Sequence, residues 1–144
     1  MSLTLETVRG YIRRLLADPE SRTWDDETLD EAIRQALTEL IQAAGHPIPL
    51  EGLDGEENPT LLSPEQSQVL AGGAAAYAVL TRSLQRAEAH DLGQSIPAVL
   101  LDWAHARMKH FQAQVLALRL ITLQSSTQPP YAPLPDPDET ITWR

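Results

Sequence analysis

The densest group of side chains able to do acid–base or metal chemistry is the run Asp25, Asp26, Glu27, Asp30 and Glu31. Clustered carboxylates share a proton or a divalent cation only when they converge on one point. These residues instead open a helix. With Asp25 as N-cap, its carboxylate accepts a hydrogen bond from a first-turn amide, and Asp26 and Glu27 sit where the helix dipole favours negative charge. A second acidic group, Asp54-Gly55-Glu56-Glu57, lacks the alternating oxygen ligands and distal glutamate of a calcium loop. The four histidines are His46, His90, His105 and His110. His105 and His110 are five apart, on different helical faces rather than at the i, i+4 spacing of a metal pair. Asp102 and His105 are one turn apart, which permits a hydrogen bond and fits surface or interface packing. Glycine-rich phosphate loops, nucleophile elbows and zinc-protease motifs are missing, and with no cysteine there are no disulfides, thiolate metal sites or cysteine nucleophiles. The residues therefore predict a protein that is not an enzyme, with no metal and no cofactor.

The element that positions the acidic run is a helix bounded at both ends. Trp24 precedes the cap and Leu29 is the fourth helical residue, the spacing of a hydrophobic staple that fixes the angle at which the chain joins the helix. Leu29, Ile33, Ala36, Leu37, Leu40, Ile41 and Ala44 recur at helical spacing, and Gly45 followed by His46-Pro47 supplies the stop. Before it, a first helix is expected from about Leu3 to Ala17, with Ser2 or Thr4 near its cap, Leu5, Val8, Tyr11, Ile12, Leu15 and Leu16 on one side, and Asp18-Pro19 as its end. Arg9, Arg13 and Arg14 fall off that stripe as solvated arginines or as a patch facing a protein partner or a nucleic acid.

Residues 46–62 break both helical and strand periodicity and read as a long acidic loop, partly pinned by Ile48, Leu50 and Leu53. A third helix starts at a capping box, with Ser63 as cap, Pro64 at the first position and Gln66 completing the box. Val69, Leu70, Ala76, Tyr77, Leu80 and Leu84 form its buried side, and Gly93 marks its end. Gly72 and Gly73 lie in Ala71–Ala76, a stretch with almost no side chain. Two glycines in mid-helix serve either close approach of another helix, in this chain or a neighbouring subunit, or a local kink.

The fourth helix has Ser95 as cap and Pro97 early, and continues to about Leu123, on the order of 40 Å. Leu101, Ala104, Met108, Phe111, Val115 and Leu118 form a coiled-coil-like stripe, which Leu100, Trp103, Leu116, Leu120 and Leu123 widen. A helix apolar on more than one side touches more than one neighbour. Residues 1–124 thus form a helical domain, and 125–144 an extended, proline-rich C-terminal arm with five of the eleven prolines. The reading is an arm that docks on a partner through Tyr131, Leu134, Ile141 and Trp143, with strand addition as one mode, the alternative being a floppy end. The fold class is all-α: a small bundle of three to four helices with an acidic loop and that arm.

The 144 residues carry a net charge of −9, concentrated between Asp18 and Glu65, where thirteen acids face only Arg22 and Arg34. Phosphate binding needs clustered cations, so the distribution argues against a protein that grips DNA or RNA. An acidic face either solubilises the fold or lets DNA slide past; Asp26, Glu27, Asp30, Glu31, Glu51, Asp54, Glu56 and Glu57 are the candidates for the second role. With no basic leader and no apolar run of membrane-spanning length, a soluble protein made in a cytoplasm is expected.

The short first helix, the loop, Trp24, the acidic cap and the spaced Ala/Ile/Leu series resemble the opening of the head-to-tail adaptor proteins of tailed bacteriophages, also called connector or head-completion proteins. The likeness extends through Gly45 and covers the next two helices in outline. It implies a non-enzymatic virion protein at the head-tail junction, forming a ring, typically a dodecamer, beneath the portal protein. Such a ring extends the DNA channel and joins the portal to the next head-completion or tail protein, with DNA passing through unbound. A DNA-packaging component such as a small terminase subunit, or a helical interaction module with no viral role, are the alternatives.

Overall fold

The computed structural model describes residues 3–18, 20, 23–60, 62–88 and 97–125, and among them the chain is all-α. Its helices are α1 (Leu5–Leu15), α2 (Asp26–Ala44), α3 (Pro64–Glu88) and α4 (Ala98–Ser125). α3 is the central element, packed on α1, α2 and α4, while α2 also touches α4.

Local chemistry sets the boundaries. Thr4 caps α1, its hydroxyl accepting from the Thr7 amide. The helix is shorter than its apolar stripe predicts because Ala17 adopts φ +54° and turns the chain toward Asp18. Asp25 caps α2 by accepting from the Thr28 amide at 2.8 Å, and Gly45 at φ +76° ends it. At α3 the capping box closes both ways: Ser63 Oγ accepts from the Gln66 amide at 3.2 Å and Gln66 Oε1 from the Ser63 amide at 3.1 Å. α4 follows Pro97 and runs to Ser125, two residues beyond the predicted end. Ser95 and Gly93, expected as a cap and an end marker, lie outside the described residues.

The core is aliphatic. Val8, Ile12, Leu29, Ile33, Leu40, Leu50, Leu70, Val79 and Phe111 are its largest fully buried side chains, each contributing roughly 1.5–3 kcal/mol by leaving water. Trp24 and Leu29, the staple residues, are both buried in it. The middle of α3 is walled by Ala71, Ala74, Ala75, Ala76 and Ala78, all buried, so its neighbours approach its backbone closely. The acidic loop is tied down as its three apolar residues predict: Ile48, Leu50 and Leu53 are buried, with a single 3₁₀ turn at Leu53–Gly55. The Leu5 amide also donates to the Glu51 carbonyl at 2.8 Å, latching the loop to the start of α1.

Three residues depart from their predicted faces. Tyr11, Leu15 and Leu84 are exposed rather than buried. Tyr11 and Leu15 border a groove between α1 and α3, and Leu84 lies near the end of α3.

Candidate functional site

The fourth helix divides into strips with different tasks. Its inner seam faces the bundle: Ala104 and Phe111 are buried and Leu101, Met108, Val115 and Leu118 half-buried against the same core. Phe111 meets Tyr77 edge-to-face, with ring centroids 6.3 Å apart. Gly73 sits directly beneath its ring, whereas a Cβ on Gly72 meets nothing within 4 Å. Within this chain, then, it is Gly73 that meets another helix closely, while Gly72 faces an open groove.

The outer strip is apolar and uncovered. Leu116, Leu120 and Leu123, at i, i+4 and i+7, are 58 %, 51 % and 41 % exposed, and Val99 is 81 % exposed. Scattered surface leucines are ordinary, but three in register along one helix make a contiguous stripe of the kind that a partner covers.

The arginines of α1 are not a single outward patch. Arg9 binds Asp30 through two bonds of 2.7 and 2.6 Å. Arg13 is buried and donates to the Trp24 carbonyl at 2.6 Å and to Asp26 at 2.5 Å. Asp18, also buried, lies 3.6 Å from Arg13 and accepts from the Thr23 and Trp24 amides. This knot fixes the α1–α2 turn and delivers Trp24 to its place, where the Arg82 guanidinium stacks 4.7 Å from its ring centroid. Sequence reasoning took Asp18 only as a helix end; its signal was a carboxylate six residues before a tryptophan that needs its backbone satisfied.

The acids proposed to face a channel divide in two. Asp26 and Asp30 pair with Arg13 and Arg9, and Glu31 and Asp54 with Arg34. Arg34 grips Asp54 with bonds from 2.6 to 3.1 Å and holds its carboxyl below the usual range, while Asp54 itself takes φ +51°. Glu27 and Glu57 are exposed, and Glu51 and Glu56 are half-exposed on the loop. His105, His110 and Asp102 are exposed on α4, and among the described residues no hydrogen bond joins Asp102 to His105. No cluster of three or more histidines and acids capable of holding a metal occurs among the described residues. Tyr131, Leu134, Ile141 and Trp143, the proposed arm anchors, lie outside them.

Two grooves flank the strip of α4 that carries Arg107, Gln114 and Ile121, spaced seven apart. One, of about 450 Å³, is lined by Tyr11, Arg14 and Leu15 of α1, Gly72 of α3 and Arg107. The other, of about 390 Å³, lies between α3 and the C-terminal half of α4 beside Gln114 and Ile121. Gln68 lines both, so the two grooves adjoin at its side chain and follow one another along α3 and α4, a path called the track below.

Comparison with known protein families, curated proteins and solved structures finds no match to this chain. Among the described residues no helix is long and apolar enough to cross a membrane.

Proposed function

We propose that this chain is a non-enzymatic structural adaptor of a tailed-bacteriophage virion, assembling into a ring under the portal protein that extends the DNA channel toward the next head-completion or tail protein. The observation that carries this reading is the uncovered leucine stripe Leu116-Leu120-Leu123 on a helix whose other apolar seam is already occupied. In a ring, each copy covers a neighbour's stripe. α1 and the start of α2, which resemble the opening of the adaptor family, are tied together by the Arg13–Asp18–Trp24 knot, which suits a platform for assembly. Glu27, Glu51, Glu56 and Glu57 are the acids best placed to keep a channel wall from gripping DNA, since like charge repels phosphate. The pairing of Arg9, Arg13 and Arg34 with carboxylates leaves little of a basic recognition surface on α1 and α2, which disfavours the terminase alternative.

The test is the mass of the purified protein alone and after mixing with the portal protein encoded in the same genome. A ring, or a complex formed only with portal, supports the reading. A monomer unaffected by portal overturns it.

A further inference from the structure

The track along α3 and α4 has a chemistry the adaptor reading does not use. Its inner end combines an exposed aromatic ring with two cations. Tyr11 is 38 % exposed, the Arg14 guanidinium lies 4.9 Å from its ring centroid, and Arg107 stands across the groove. Among the described residues, neither arginine pairs with a carboxylate, unlike Arg9, Arg13 and Arg34, in a chain of net charge −9. Gly72 leaves the floor open, with nothing within 4 Å of where a side chain begins. An open apolar channel with an aromatic wall and flanking arginines suits an extended proline-rich strand bearing acidic residues, because such a strand loses little entropy on docking.

This chain carries a segment of that composition. Residues 129–139 read Pro-Pro-Tyr-Ala-Pro-Leu-Pro-Asp-Pro-Asp-Glu, with no basic residue among them. We propose that the track seats this C-terminal segment of the same chain, folded back along α4, with its prolines against Tyr11 and Leu15 and its acids, Asp136 and Asp138, toward Arg14 and Arg107. Reach and charge both fit. The track's outer end lies at Ile121, one turn from the end of α4 at Ser125. From Ser125 back to Arg107 is about 27 Å of helix, which about nine extended residues span. The returning chain therefore draws level with Arg107 at Leu134, and the acidic residues follow. Tethering holds the segment at a high effective concentration, so modest contacts suffice. Seated this way, the segment leaves Ile141 and Trp143 beyond the track for another protein.

Because the chain has no cysteine, the inference is tested by disulfide trapping in the full-length protein. The pair G72C/L134C reports on the track, and H105C/L134C, on the opposite side of α4 from Arg107, is the control; circular dichroism verifies that each variant keeps its helices. The expected result is an intramolecular bond in G72C/L134C, in a species of monomer mass, forming about tenfold faster than in the control. Adding R14E and R107E brings the two rates together. Equal rates without the charge reversals overturn the proposal, and a bond between two chains assigns the track to a neighbour's arm and overturns it equally. A preference that survives R14E/R107E removes the role given to the arginines.

Discussion

A Cβ placed on Gly73 would lie 2.5 Å from Cδ2 of Phe111, so the two central helices meet at a point where only glycine fits. The obstructing atoms belong to a fully buried ring that also packs on Tyr77, leaving it little room to withdraw. Overpacking of this kind costs about 1–3 kcal/mol, and alanine's better helix propensity returns about 1 kcal/mol. G73A is thus expected to destabilise the fold by up to about 2 kcal/mol. G72A, one residue away with open space above it, is expected to stabilise by about 0.5–1 kcal/mol. Urea unfolding of the two variants checks the contrast; equal effects would mean that Phe111 does not bear on Gly73.

The buried arginine makes a second contrast. Arg13 and its neighbour Arg14 sit side by side on α1, yet one is enclosed with Asp18 and the Trp24 carbonyl while the other is exposed over Tyr11. Removing one partner of a buried ion pair leaves the other charge uncompensated and costs about 3–5 kcal/mol. R13A should lose about 3 kcal/mol of unfolding free energy, whereas R14A should change it by less than about 0.5 kcal/mol. Trp24 fluorescence during denaturation reports the loss, since the knot holds that residue's backbone.

These two contrasts show which parts of the molecule the sequence discloses. Capping is local, and Asp25, Ser63, Gln66 and Gly45 each fix a boundary through atoms within a few residues. The loop's apolar residues Ile48, Leu50 and Leu53 were legible for the same reason: three hydrophobes amid acids and prolines have nowhere else to go. What stayed hidden depends on residues distant along the chain. The ion pairing of Arg9 and Arg13 is set by the angle at which α2 returns past α1, and the choice between Gly72 and Gly73 by the register of α4. Periodicity placed Tyr11 and Leu15 in the core because it sees one face of a helix, not where the neighbouring helix stops. In the candidate site, the stripe of Leu116, Leu120 and Leu123 was visible as excess apolar surface, but only the packing of Phe111 shows which of two seams is spare.

Two titrating groups give stability a dependence on pH at each extreme. The Asp25 carboxyl is held below its usual range by its hydrogen bonds from Thr28. A depressed folded-state pKa contributes stability that is present above the unfolded value, near pH 4, and is lost as pH falls through the folded one. D25A should therefore be less stable than the native chain by about 0.5–1 kcal/mol at neutral pH, with the gap closing below about pH 4. Tyr77 shows the reverse: burial and then its hydrogen bond to Glu39 raise its hydroxyl well above the ordinary value. Its contribution is whole below about pH 10 and fades as pH rises through the raised value. Y77F should lose about 1 kcal/mol near neutrality and show a shallower decline above about pH 10 than the native chain. Melting temperatures across the pH range test both; parallel curves would detach these groups from stability.

The leucine stripe gives the prediction most closely tied to function. Leu116, Leu120 and Leu123 are already in water in the isolated chain, so replacing them with serine removes little native packing. Surface substitutions of that kind shift stability by less than about 0.5 kcal/mol each, to which serine adds a helix-propensity cost of similar size. Any interface that covers the stripe loses far more, since each fully buried leucine contributes roughly 1.5–3 kcal/mol. L116S/L120S is therefore expected to unfold near the native temperature yet to raise the concentration needed for self-association, or for capture by portal, by about tenfold or more. Sedimentation velocity over a concentration series measures the first and a pull-down with portal the second. Should the variant associate as readily as the native chain, Leu116 and Leu120 lie outside any surface through which copies meet; should it unfold, the two leucines belong to the bundle's own core.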